Sequence, residues 1–117
     1  MEDEMSNINE QMTKYAEKYK YTVKVYDKDN IGGWEHLVCV IFCEDEDIAG
    51  KIAKRVQHHW SPRLSPETLG IRVSKVDIDG INREIMDSVE FFAKFGIRHS
   101  PKYVKIMTST SSEFGGD

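Results

Sequence analysis

Apolar positions along this chain switch between two periods. Ile8, Met12, Tyr15 and Tyr19 recur at spacings of four, three and four, which lays one stripe along a helix. Asn7 followed by Glu10 reads as a capping pair, so this helix is predicted to start near Ser6 or Asn7, with residues 1–5 frayed. From Tyr21 to Tyr26 the period drops to two: Tyr21, Val23 and Val25 alternate with Thr22, Lys24 and Tyr26, as in a strand. Asp27 to Glu35 carries turn residues, Asp29-Asn30 and Gly32-Gly33, and is predicted to be a loop. Leu37 to Phe42 is nearly all apolar, which fits a central strand covered on both faces.

A second helix follows. Ile48, Ala49, Ile52, Ala53, Val56 and Trp60 form its inner face, the acidic run Glu44-Asp45-Glu46-Asp47 suits the positive end of its dipole, and Ser61-Pro62 ends it. Ile71 to Ile78 reads as a third strand, turned by Asp79-Gly80. Ile81, Ile85, Val89 and Phe92 mark a third helix stopped by Gly96, and Tyr103 to Met107 reads as the last strand. Thr108 to Asp117, small and polar, is predicted to be a loose tail. The order is helix, strand, strand, helix, strand, helix, strand, with no repeat and no linker. It implies one α/β domain over residues 1–117, a mixed sheet of about four strands under helices. Nine residues between the first two strands are too few for a parallel crossover, so those strands either pair antiparallel or do not pair.

Composition changes this picture only at its margins. Sixteen basic against 20 acidic residues give a net charge of −4, which argues against general nucleic-acid binding, although a local basic patch remains compatible with it. The longest apolar run is too short to span a bilayer and the first residues are acidic, so the expected location is the cytosol, with no membrane partner. No cofactor motif is present: Gly32-Gly33 is too short for a phosphate loop. Metal ligation is not expected either. Adjacent carboxylates at 44–47 diverge on a helix, Asp77-x-Asp79-Gly80 lacks the rest of a calcium loop, and His58-His59 suit a helix C-terminus better than a zinc site. Cys39 and Cys43 share one strand at a separation of about 13 Å, too far for a disulfide.

The segment Phe95-Gly96-Ile97-Arg98-His99-Ser100-Pro101 resembles thioredoxin, in which a glycine-isoleucine-arginine step and two variable residues lead to a cis-proline and a strand. Val73 to Asp79 is similar to that family's third strand with its trailing acid, and Val38 to Phe42 with the following helix resembles the elements that carry its active site. The resemblance covers about residues 37–107. It implies a thioredoxin-like fold, a cis Ser100–Pro101 bond, and a Pro101 loop lying beside the start of the second helix.

The chain departs from the family where chemistry would occur. Glu46-Asp47-Ile48-Ala49 stands where the family has Cys-x-x-Cys, and no such pair exists elsewhere. Dithiol exchange needs an attacking thiolate and a resolving thiol, and one loop cannot supply both here. The expected function is therefore a non-catalytic module, adaptor or regulator, that binds another protein. The expected contact surface joins Glu44, Asp45, Glu46 and Asp47 to Arg98, His99, Ser100 and Pro101, and suits a basic or extended segment. Homodimerisation through the same edge is a further arrangement it allows. The competing reading is a single-cysteine redox or peroxide-type enzyme using Cys43, whose acidic neighbours would raise the thiol's pKa.

Overall fold

The computed structural model describes residues 4–28, 35–60 and 69–110. Three helices flank one mixed four-stranded sheet. Helix α1 spans Glu4–Ala16, strand β1 Tyr21–Lys28, β2 Glu35–Cys43, helix α2 Glu46–Trp60, β3 Leu69–Lys75, helix α3 Ile78–Lys94, a 3-10 turn η1 Pro101–Tyr103, and β4 Lys105–Thr108. The element order is the one the hydrophobic pattern predicts. The sheet order is β3-β1-β2-β4, with β1 antiparallel to both neighbours and β2 parallel to β4. Chain reversal between β1 and β2 thus takes the antiparallel alternative. The two helical crossovers carry the chain first over β1 and then across the sheet to its opposite edge.

Each face of the sheet has its own core. Val23, Val25, Cys39, Ile41 and Cys43 pack under Ala49, Ile52 and Val56 of α2. On the other face Tyr26, Leu37, Val40 and Phe42 meet Ile8 and Met12 of α1, Ile81 and Ile85 of α3, and Val104. The near-continuous apolar run of β2 follows from this double cover. A bulge between Val25 and Tyr26 leaves Val38 opposite no residue of β1: Val25 pairs with Cys39 and Tyr26 with Leu37. Val38 and Cys39 therefore both pack toward α2, while Leu37 and Val40 reach the α1 and α3 side.

Several predicted boundaries shift, each for a local reason. Helix α1 begins at Glu4, so Asn7 lies inside it and the Asn7/Glu10 cap does not form; Asn9 instead pairs with Asn82 of α3 at 2.8 Å. Asp79-Gly80 is no turn. The Asp77 carboxylate caps α3 by accepting the Gly80 N–H at 3.1 Å, which draws Ile78 out of the strand and into the helix. A Cβ on Gly80 would crowd that carboxylate. The last strand starts at Lys105 because Pro101–Tyr103 forms η1 first. Predictions for the loop at 29–34, the 61–68 segment with Pro62 and Pro66, the Trp60 side chain and the tail from 111 lie outside the described residues.

Candidate functional site

Cys43 ends β2 with no exposed surface, and its thiol donates to the Ile41 carbonyl at 3.7 Å. Burial, and secondarily the charge of Asp45, pushes the thiol from 9.0 up to about 12. At neutral pH it is not a thiolate, the form that attacks disulfides and peroxides. The acidic residues beyond it have structural roles. Asp45 caps α2 by accepting the Ile48 N–H at 2.9 Å, Glu44 pairs with Lys18 at 3.6 Å, and Glu46 and Asp47 form the exposed first turn.

Arg98 to Pro101 lie elsewhere. Because β4 runs parallel to β2, with Cys39 opposite Lys105 and Phe42 opposite Thr108, the chain enters β4 at the end where β2 begins. Glu44 to Asp47 follow the end where β2 finishes. The structure therefore does not bring the two halves of the expected surface together. Nor is the Ser100–Pro101 bond cis, since no peptide bond among the described residues is. Pro101 opens a 3-10 turn, a position where its fixed φ fits and its missing N–H is not needed. The Ser100 hydroxyl accepts the Lys102 N–H at 3.4 Å, and the Ser100 and Pro101 carbonyls accept from Tyr103 and Val104. An ordinary trans bond satisfies this whole turn.

What does assemble around Arg98 is an aromatic row. Helix α3 ends in a Schellman motif: Gly96 takes φ 71°, its N–H reaches the Ala93 carbonyl, and the Ile97 N–H reaches Phe92. That motif releases the chain outward. The η1 turn then returns it with Val104 buried and Tyr103 facing solvent. Ring centroids follow one another from Phe95 to Phe91 at 4.9 Å, to Phe92 at 5.4 Å, to His99 at 4.7 Å and to Tyr103 at 5.3 Å. His36, at the start of β2, packs on Phe92 at 4.9 Å from the sheet side and lies 3.9 Å from an Asp27 carboxylate oxygen. Burial, then the neighbouring His36, holds His99 below the usual imidazole pKa, so it is a neutral member of the stack. Phe95, Ile97 and Tyr103, large apolar side chains between the end of α3 and η1, are 49, 44 and 59% exposed. Val73 and Met86, the other exposed large hydrophobics among the described residues, belong to separate elements, β3 and α3.

A second polar cluster was not anticipated from the sequence. A cavity of about 370 Å³ between the start of β2 and α3 is lined by Tyr26, Glu35, Leu37, Arg72, Glu84, Asp87 and Ser88. Tyr26 donates to Glu84 at 2.7 Å, the other Glu84 oxygen lies 3.3 Å from Lys24, and Arg72 covers the Tyr26 ring and meets Glu35 at 3.2 Å. Burial, followed by the Glu84 hydrogen bond and charge, raises the Tyr26 phenol, which keeps its proton. These groups largely answer one another, as a structural network does. Among the described residues no set of three or more His, Cys, Asp or Glu side chains could hold a metal ion, and no helix is long and apolar enough to cross a membrane. Comparison with protein-family models, with curated protein sequences and with solved structures finds no significant match.

Proposed function

We propose that this chain is a non-catalytic module that binds another protein through the end of α3 and η1. The observation that carries the reading is the exposure of Phe95 and Tyr103 at the two ends of a row of contacting aromatic rings, with Ile97 exposed on the chain between them. Aromatic side chains left in water on a packed, ordered base are characteristic of interface anchors, because little freedom is lost when a partner covers them. The unexposed, protonated Cys43 supports the non-catalytic half of the reading. The expected surface thus keeps Arg98, His99, Ser100 and Pro101 and exchanges Glu44 to Asp47 for the aromatic row.

The test compares immobilised wild-type protein with a Phe95→Ser/Tyr103→Ser variant as bait in a native extract. A partner retained in near-equal molar amount by the wild type and lost from an equally stable variant is the expected result. Identical retention by the two baits would refute the surface. Catalytic turnover of a disulfide or peroxide substrate, abolished in Cys43→Ser, would refute the non-catalytic reading.

A further inference from the structure

The aromatic row lies in a segment whose formal charges are all of one sign. Residues 91–110 carry Lys94, Arg98, Lys102 and Lys105 and no carboxylate. Since the whole chain has 16 basic and 20 acidic residues, the remainder holds 12 and 20, a net charge of −8 outside this segment against +4 within it. All four cations are exposed, and Lys94, Arg98 and Lys102 form no ion pair with a described residue. Salt bridges elsewhere show the usual alternative, a lysine or arginine answered by a nearby glutamate. Beside the patch, β4 is the edge strand of the sheet, with no described strand on its outer side. Such an edge offers backbone donors and acceptors to an extended chain.

Resting on the binding reading above, we propose that this face takes an acidic, extended segment of a partner protein. Its apolar side chains would lie on Phe95, Ile97 and Tyr103 and its carboxylates against Arg98 and Lys102. Charge complementarity selects this occupant. A basic segment would meet like charges at Lys94, Arg98 and Lys102. A nucleic acid carries a charge at every nucleotide, of which the four cations of this segment can neutralise only a few. A short acidic peptide can confine its charge to the patch. A second copy would present clustered carboxylates such as Glu44 to Asp47 on a folded helix start and not on an extended segment that an edge strand can pair with.

The experiment is fluorescence anisotropy with the full chain. The probe is a labelled peptide of about twelve residues in which Glu alternates with Leu and Tyr; the controls are the same peptide with Lys for Glu and an oligothymidylate of similar length. The acidic peptide should bind at least about tenfold more tightly than the Lys control, and more weakly as salt rises from about 0.05 to 0.3 M. Arg98→Glu/Lys102→Glu should weaken it by about tenfold or more, while Lys51→Glu/Lys54→Glu, exposed on α2, should not. Phe95→Ser/Tyr103→Ser should weaken binding and leave its salt dependence in place. Thermal melts confirm that each variant is folded.

Equal affinity for the two peptides, insensitivity to the Arg98/Lys102 reversal, or tighter binding of the oligothymidylate would overturn the proposal. So would sedimentation showing a wild-type oligomer that the same reversal dissociates. If the extract bait still loses its partner on Phe95→Ser/Tyr103→Ser while the peptides bind alike, the partner chemistry is wrong and the binding reading stands.

Discussion

At the scale of single residues, position along the fold decides what a side chain can do. Cys43 stands immediately before an acidic helix start, where the sequence allows a lone reactive thiol. Full burial and the neighbouring Asp45 turn it into a core residue with its pKa moved from 9.0 to about 12. Iodoacetamide at pH 8 should therefore alkylate Cys43 rapidly only in denaturant; fast, stoichiometric labelling of the native protein would contradict its burial. The same shift has a linked effect on stability. The unfolded thiol loses its proton near pH 9 and the folded one near 12, so across that window the folded state binds more protons and stability falls as pH rises. Cys43→Ala should flatten this alkaline slope in urea melts between about pH 8 and 10.5, leaving the remainder that Tyr26, raised in the same direction, contributes.

At the scale of elements, helix and strand identity was legible and the caps and bulge were not. Helical stripes such as Ile48-Ile52-Val56 and the double-sided run of β2 are set by hydrophobic burial, which leaves a periodic signal in the sequence. The start of α3 is set by one hydrogen bond, from the Gly80 N–H to Asp77, and a turn at Asp79-Gly80 has the same residue composition. The bulge at Val38 follows from packing on two faces at once, which no window along one strand records. The site divided in the same way. Arg98 to Pro101 were found from a family resemblance, but their surroundings were not, because the location of η1 depends on β4 pairing parallel to β2. The resemblance also implied a cis Pro101, whereas Ser100 and Pro101 build a 3-10 turn from a trans bond. The Phe95 to Tyr103 row joins helix, turn and 3-10 elements whose spacing has no single period. Caps remain testable element by element. Asp45→Ala, which strands the Ile48 N–H, should cost about 0.5–2 kcal/mol, while its exposed neighbour in Glu46→Ala should cost less than about 0.5 kcal/mol in chemical denaturation. Equal effects would mean that acidity in the first turn, and not the cap, holds the start of α2.

At the scale of the whole molecule, one thin sheet must couple two cores. Ile52 packs from α2 against Val23, Val25 and Ile41, and Ile85 packs from α3 on the opposite face among Tyr26, Leu37 and Val40. Strands β1 and β2 contribute to both clusters, so neither face can lose its core while the other retains a sheet to pack on. Unfolding should therefore be a single transition, as is usual where two cores share one small sheet. Ile52 is 3% exposed and Ile85 fully buried, so truncating either to Ala should cost about 2–5 kcal/mol in lost transfer energy and residual cavity. The two side chains share no packing partner across the sheet. Their effects should consequently add to within about 0.5 kcal/mol in the double variant. Far-UV circular dichroism, near-UV circular dichroism and hydrogen exchange of β2 amides should all report the same midpoint for each single variant. A biphasic melt in Ile52→Ala, with the α3 face persisting after the α2 face is lost, would show that the faces fold separately. It would also leave the aromatic row, which belongs to the α3 side, on a unit that stands without α2. Coincident transitions would instead tie the binding face to both cores, so that a partner held at Phe95 and Tyr103 raises the stability of the entire chain by mass action.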